Sequence, residues 1–568
     1  MTNPQSFSLD ADSSGVGAKG EIAHQSLVDH TERLARRLWT VTEGVWCLVG
    51  NGLSNQIFVE GPEGVIAIDT GECREEMAAA IAELRTVTDR PIVAVIYTHF
   101  HYTNGTAAIL DDSPGPLPIW GHEGIEGNLA RMGTEVGPVA RRGLIEQFGI
   151  DLPADGPDGL LNVGLGLGYR FAQHAPFTPG FLPPDHLIAG PMVATIAGLE
   201  VDFRPAPSDA DDNVTIWFPS KQLCVNNIVW PALFNVFPIR GEEYRDPRVL
   251  LEGVDHIVGL EPEHLVCAHG PPLSGRERIN VETVRYRDSI QFLWDQTVRG
   301  INLGQTSAEI GNAVRLPDVY ASSYFTQMHY GLAEHHVRQI HAGLRGWFDG
   351  DPANLFPLPP VERAKRLVQG FGGPDTVRTA CDRAIEEDDI RWAIELAGWL
   401  VRLDETSAAD RQRLATALRT VGQRTTSANI RSWALTRARE LEGSIDLSRH
   451  RRQTFGVRAA LALHPRDLIA ALRVRVDPDL AVGIDAHLGF DVADHGRTGL
   501  HLRHSVAVPT DGEGADAMLE LDRTTLAELV AERITLADAV AAGRVSVVGD
   551  QSALEALGRV LGLEALLG

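Results

Sequence analysis

Residues 91–104 read PIVAVIYTHFHYTN. The run Ile92–Tyr97 is short, apolar and rich in β-branched side chains, the pattern of a strand buried on both faces. It runs out into Thr98-His99-Phe100-His101. Two histidines at i and i+2 on an extended segment can converge on one ion, and neutral imidazole is a good ligand for zinc or iron. Taken alone, the tetrapeptide reads more plainly as two unrelated histidines at a strand end. Its surroundings shift that balance. Upstream, GVIAIDTG (64–71) is another buried strand, ending in an acid and a glycine turn, Asp69-Thr70-Gly71. EEMAAAIAELRTV (75–87) lies between them with helical periodicity. VWCLVG (45–50) and NQIFVEG (55–61) precede as short strands. This β-β-β-α-β order points to a layered α/β domain.

Further along, residues 120–190 are irregular and rich in Gly and Pro, with GPVARRGLIEQFG (137–149) as a helix. MVATIAGLEVDFRPA (192–206) and NVTIWFPSKQLCVNN (213–227) read as more strands, and HLVCAHG (264–270) as the last buried strand of this half. From about Thr283 to Gly443 the periodicity is helical. Residues 451–568 read as an α+β unit in which LRVRVDP (472–478) is a strand and GLHLRHSVAVP (499–509) a single alternating strand. Residues 1–28, rich in Ser, Gly and Asp, read as a flexible tail.

At 568 residues the chain has room for about three or four domains. With 44% hydrophobic and 22% charged residues, it is neither disordered nor a small disulfide scaffold. The formal charge of −25 repels phosphate backbones, so nucleic-acid and anionic-membrane partners are not expected. Cys47, Cys73, Cys224, Cys267 and Cys381 are odd in number and scattered, which argues against a disulfide framework. The polar N-terminus has no apolar core of a signal peptide, and no stretch approaches a membrane span. A soluble, cytoplasmic protein is the expectation.

The order strand–DTG, helix, strand–T-H-x-H resembles the metallo-β-lactamase fold. FPIRGEEYRDP (237–247), YGLAEHHVRQI (330–340) and GWFDGDPANLFPLPPVERAKR (346–366) resemble stretches of the alkylsulfatases of that superfamily. GRVSVVGDQSALEALGRVL (543–561) is similar to the sterol-carrier-type domain that those enzymes carry last. The resemblance runs from about residue 45 to the end. It implies an α/β chain: a metallo-β-lactamase αββα sandwich (29–282), an all-α dimerisation domain (283–443) and a C-terminal α+β sterol-carrier-like domain (451–568), after the tail 1–28.

The resemblance carries a ligand set onto this sequence only in part. His99 and His101 match the first two histidines of the family pattern T-H-x-H-x-D-H, but its Asp is Thr103 and its last His is Asn104. Asp209, in PAPSDADDN (205–213), matches the first acidic ligand, and His269, in CAHGPP (267–272), the last histidine. The second, bridging acid falls at Asn227. The expected metal ligands are therefore His99, His101, Asp209 and His269. One divalent cation per chain is favoured over two, because two cations about 4 Å apart need anionic bridges. Zinc is favoured and iron stays open. The acids Asp211 and Asp212 are expected on a solvated loop.

Arg240 matches an arginine that the family uses to grip sulfate, and reads equally as a structural partner of Glu242, Glu243 or Asp246. His122 and Glu123 follow another strand and could supply an acid/base or a replacement ligand, with a surface loop as the alternative. Tyr330 borders the active site by resemblance, and core packing is as good a reading. The expected catalytic set is Arg240, His122 and Tyr330. Tyr102, beside the histidines, can donate to an anion or only pack. Gly164–Gln173 reads as a glycine-rich lid.

The function this implies is metal-dependent hydrolysis of an alkyl sulfate or related anionic ester, on a small substrate with an apolar chain, by a homodimer. Two alternatives remain: a mononuclear two-His, one-carboxylate enzyme such as an iron-dependent oxygenase or a lyase, and a non-catalytic binding protein.

Overall fold

A computed structural model describes residues 11–132, 137–242, 244–450 and 455–566. The first half is two sheets built almost entirely in chain order. The first sheet runs β1 (Arg37–Thr42), β2 (Val45–Val49), β3 (Gln56–Gly61), β4 (Gly64–Ile68), β5 (Ile92–Ile96), β6 (Ile119–His122) and β7 (His186–Ile188). The second runs β8 (Met192–Ile196), β9 (Leu199–Pro205), β10 (Val214–Phe218), β11 (Leu223–Asn226), β12 (His264–Cys267) and β13 (Leu273–Ser274). Alternation explains their facing. In β9, Leu199, Val201 and Phe203 are buried and Glu200 and Arg204 are exposed. Val45, Cys47, Ile57, Val59, Ile66 and Ile96 of one sheet share one core with Val201, Phe203, Ile216, Phe218 and Val225 of the other. Helix Arg74–Leu84 covers the first sheet with a stripe of Met77, Ala80, Ile81 and Leu84, spaced as one helical face requires.

Two parallel pairings place the strand ends that matter. Ile68 pairs with Ile96, so Asp69 and Tyr97–His99 leave the first sheet side by side. Asn226 pairs with Cys267, so Asn227 and His269 leave the second sheet together. The backbone N–H of Val214 donates to the Thr98 carbonyl at 2.9 Å and ties the sheets at this edge.

The 27-residue helix Arg276–Asn302 runs through the expected boundary at residue 283. Its Ile290 and Leu293 belong to the same core as Trp230 and Phe234, and the Tyr286 hydroxyl donates to the Ile228 carbonyl at 2.9 Å. The described residues up to 126 and residues 143–446 accordingly form one compact unit. Within it, helices Pro360–Gly370, Pro374–Glu386, Ile390–Leu403, Ala408–Arg424 and Ala428–Leu441 enclose a core of Val368, Val377, Cys381, Leu396, Leu400 and Ala438.

The second unit comprises residues 127–142 and 447 onward. Its sheet has the order β16-β15-β14-β17-β18, from β14 (Ala486–Val492), β15 (Gly496–Arg503), β16 (Val506–Thr510), β17 (Ala517–Leu521) and β18 (Val545–Gly549).

Three local expectations are corrected. Residues 11–28 are not a loose tail: strands Ser14–Val16 and Ile22–His24 form a hairpin, and Ala23 and Leu27 bury against Leu161 and Ala428. Two small contacts of this kind are invisible in a Ser/Gly/Asp-rich composition; residues 1–10 lie outside the described residues. Residues Leu472–Arg475 form a 3-10 turn, not a strand, because they continue directly from helix Pro465–Ala471. The stretch 499–509 is a hairpin, since His504 and Ser505 both adopt positive φ and Arg503 pairs with Val506. No helix among the described residues is long and apolar enough to cross a membrane.

Candidate metal centre

Where β5 ends, the chain turns through a 3-10 segment, Phe100–Tyr102, that brings His99 and His101 to one side. Asp209 arrives on the loop between β9 and β10. That loop is closed by the Ala206 N–H donating to the Asn213 carbonyl and fastened by Asp212, which accepts the Phe100 N–H at 3.1 Å. Asp212 is fully buried, so the loop is not the solvated acidic segment expected, although Asp211 is exposed. The three side chains are the only His, Cys, Asp and Glu cluster with convergent ligand atoms among the described residues.

The hydrogen bonds decide which atoms are free. Thr98 donates its N–H and its hydroxyl to the two oxygens of Asp69, at 2.8 and 2.7 Å. The Thr98 oxygen then accepts from His99 Nδ1 at 2.8 Å, which leaves His99 Nε2 as the ligand nitrogen. Asp209 Oδ1 accepts from Ser208 at 3.2 Å and from Asn227 at 2.8 Å, so Oδ2 faces the histidines. His101 presents Nδ1, while its buried Nε2 has Glu242 at 4.0 Å and no hydrogen-bond partner.

His99 Nε2 to His101 Nδ1 is 3.0 Å, His101 Nδ1 to Asp209 Oδ2 is 3.2 Å, and His99 Nε2 to Asp209 Oδ2 is 3.5 Å. Bonds of about 2.0–2.1 Å to a tetrahedral zinc would space such atoms by about 3.3 Å. The donor set therefore fits one divalent cation.

The electrostatics agree. Burial opposes the charge on Asp209, yet the two histidines hold its carboxyl well below the usual range. Burial likewise opposes a charge on His99, but Asp209 lifts its pKa to about 9. Without a cation the pair shares a proton, which a bound cation would replace.

Across from this trio the loops carry neutral groups. Trp230 Nε1 can only donate, and it donates to Asn227 Oδ1 at 3.0 Å. That fixes the Asn227 amide with its NH2 toward Asp209, as a donor and not a ligand. His269, an expected ligand, stands outside the cluster. Its Nδ1 lies 3.1 Å from the Leu53 carbonyl and its Nε2 lies 3.2 Å from the Tyr102 hydroxyl. Burial lowers its pKa to about 4, so it is a neutral imidazole. The Thr103 hydroxyl donates to the Phe100 carbonyl, so it too is turned away.

Arg240 has a side chain only 9% exposed and pairs with Glu242, which also accepts from Arg245 at 2.7 Å. Glu242 is thus a hub between Arg240, Arg245 and His101. Its neighbour Glu243 lies outside the described residues. Tyr330 is buried, accepts from Gln147 Nε2 at 3.1 Å and meets Trp230 edge-on at 5.7 Å. Gln147 also accepts from the Arg240 N–H, so Tyr330 and Arg240 share a support. His122 Nδ1 accepts the Gly124 N–H at 3.1 Å. Among the described residues no hydrogen bond, ion pair or ring contact joins His122 to the trio; a short turn has used its free nitrogen.

Three residues escaped the sequence reading. Glu72, just past the DTG turn, hydrogen-bonds Tyr169 and lies within electrostatic reach of His99 and Arg240; burial raises its pKa to about 7. Tyr169 stacks on Phe148 at 5.2 Å, and Arg170 lies over its ring. Both come from the segment expected as a lid. That segment is wedged at its start: Gly164 has φ +81°, and a Cβ there would meet the His329 carbonyl at 2.7 Å. The position of Glu72 next to a strand-end acid was the available signal.

The chain is similar to known proteins over most of its length. Residues 49–102 match the metallo-beta-lactamase superfamily, residues 306–444 the alkyl sulfatase dimerisation family and residues 454–563 the alkyl sulfatase C-terminal family. A linear primary-alkylsulfatase of Pseudomonas sp. is 33% identical over 510 residues, covering 87% of this chain and 96% of the relative. An alkyl/aryl-sulfatase of Saccharomyces cerevisiae is 28% identical over 92% of this chain and 81% of its own length. The solved structure of a stereoselective inverting sec-alkylsulfatase from Pseudomonas sp. superposes with a TM-score of 0.83 at 26% identity, over 95% of this chain and 86% of that one. With a sandwich edge that gathers two histidines and an aspartate, and a relative of this identity over nearly its whole length, the chain belongs to the alkylsulfatase family of the metallo-beta-lactamase superfamily.

Proposed function

We propose that the protein hydrolyses alkyl sulfate esters with one divalent cation held by His99 Nε2, His101 Nδ1 and Asp209 Oδ2. The observation that carries this reading is the spacing of those three atoms, 3.0, 3.2 and 3.5 Å. Two imidazoles and one carboxylate favour zinc and leave coordination positions open, as a catalytic site needs. A bound cation supplies Lewis acidity and brings the pKa of water down to about 7.

The residues of the chain divide the remaining work. Asp69 and Thr98 hold the His99 ring in its ligand tautomer. Asn227 and Ser208 hold one Asp209 oxygen and free the other. Arg240, whose positive charge Glu242 stabilises against burial, offers a planar fork that matches two sulfate oxygens. Tyr330, through Gln147, braces Arg240.

A homodimer is proposed from the dimerisation-family match. Support comes from residues 351–360, which are exposed throughout, with Phe356 91% and nearby Trp347 78% exposed. Apolar side chains so displayed call for a covering surface.

The test is sulfate release from linear and secondary alkyl sulfates by protein purified without chelator, alongside metal content per chain. Sulfate release with about one zinc per chain is expected. Two ions per chain would overturn the single-cation reading. Iron with oxygen uptake would replace hydrolysis by oxygen chemistry. Replacing Arg240 by Ala is expected to raise KM about a hundredfold, with little recovery in Arg240→Lys, since an ammonium cannot form the fork.

A further inference from the structure

Next to the trio lies a buried pair that the reading above leaves unused. Tyr102 is 4% and His269 1% exposed. A carbonyl can only accept, so His269 Nδ1 carries the hydrogen that meets Leu53 at 3.1 Å, and Nε2 is a bare acceptor. The Tyr102 hydroxyl at 3.2 Å therefore donates to His269. Its single proton is spent, and the phenol oxygen keeps two lone pairs. Its ring stands edge-on to His99 with centroids 5.0 Å apart, so the residue lies beside the trio. The backbone holds it there: the Tyr102 carbonyl accepts from the Thr70 N–H at 2.8 Å and the Thr70 hydroxyl at 3.2 Å.

An oxygen in this state accepts hydrogen bonds and does not donate them. A sulfate ester has only acceptor oxygens and cannot be its partner, whereas water can. We propose that Tyr102 is a further catalytic residue, whose phenol oxygen accepts a hydrogen bond from the attacking water and aims that water's lone pair at the ester, with His269 as the positioning residue that fixes the phenol proton. The proposal rests on the hydrolytic reading and adds a role for two residues to it. No proton leaves either residue in this role. The water oxygen bonds to carbon or sulfur as the ester C–O or S–O bond breaks, and one of the water's two protons ends on the leaving oxygen. The net reaction converts ester and water to alcohol and hydrogensulfate.

The experiment has two readouts. On the metal-loaded enzyme, Tyr102→Phe is expected to lower kcat ten- to a hundredfold with KM and metal content unchanged, as loss of orientation does. His269→Ala is expected to do the same, and the double variant to be no worse than either. His269→Gln, which can accept from Tyr102 and donate to Leu53, is expected to regain most of what Ala loses. Full kcat in Tyr102→Phe overturns the proposal. So does metal loss in either variant, which would make the pair ligands. A His269→Gln enzyme as slow as His269→Ala would mean that the imidazole must take a proton, and overturns the positioning role.

The second readout needs no turnover. A crystal structure of the metal-loaded wild type is expected to hold a water within 3.2 Å of the Tyr102 oxygen, as hydrogen bonding requires, and Tyr102→Phe to lose it. No water there overturns the proposal even if no alkyl sulfate is hydrolysed; inactivity with that water present overturns only the hydrolytic reading.

Discussion

The two sides of the site are built from the same kind of loop and differ in what their hydrogen bonds leave over. On one side, Asp69 and Thr98 consume the His99 Nδ1–H, and Ser208 and Asn227 consume one oxygen of Asp209. Lone pairs remain and converge. On the other side, Leu53, His269 and Tyr102 form a closed chain, and Trp230 turns the Asn227 amide donor-first. No carboxylate takes part in that chain of bonds. A histidine at a strand end is thus no ligand by position alone; its partners decide.

The largest effect is expected on the first side. Asp209→Ala removes the only carboxylate of the trio and leaves His99 and His101 facing each other with no anionic ligand between them. Metal content should fall to background and sulfate release with it, measured by mass spectrometry of the metal and ion chromatography of sulfate. Retained metal would place the cation elsewhere and dissolve the contrast between the sides.

Asn227→Asp attacks the contrast from the other side. Two carboxylates would then face each other across 2.8 Å where a donor and an acceptor now meet. Without added cation the variant should be less stable by about 1–3 kcal/mol. With excess zinc, metal analysis should find a second, weaker ion. An unchanged stoichiometry would mean that Tyr102 and His269 alone exclude it.

Thr98→Val acts one bond further out. It keeps the volume and removes the hydroxyl between Asp69 and His99. Metal affinity should weaken about ten- to a hundredfold, read by competition with a chelator, with the fold intact.

The smallest effect concerns a carboxyl whose burial outweighs the charges around it. Glu76 accepts from Gln56 at 2.9 Å, and burial raises its pKa to about 8 from an ordinary 4.5. The folded state therefore holds a proton that the unfolded state loses above pH 4.5. Stability from this group is complete below that value and is lost as pH rises to about 8. Thermal unfolding should show the wild type weakening over this window by at most a few kcal/mol, with a flatter profile in Glu76→Gln. Asp209 goes the other way because histidines surround it.

Much of this was legible along the chain. The strands carrying Asp69 and His99 announce themselves by apolar runs, and resemblance identified Asp209. The surroundings of His122 were not legible, because a strand-end histidine looks the same whether it faces a metal or closes a turn on Gly124. Tyr169 and Glu72 were missed because they meet only when residues 72 and 169 are folded together. The hairpin at His504 and Ser505 was missed because neither residue is the glycine or asparagine that usually marks positive φ.

By itself the sequence determined the elements, their order and the residue types at the sheet edge, because periodicity and turn chemistry act over a few neighbours. Only the tertiary structure decided which of those residues are free to hold a cation. A tautomer or an amide orientation depends on partners far away in the chain, such as Asp69 for His99 and Leu53 for His269. The first of these partners exists only once β4 and β5 have paired, and the second only once the two sheets have closed on one another.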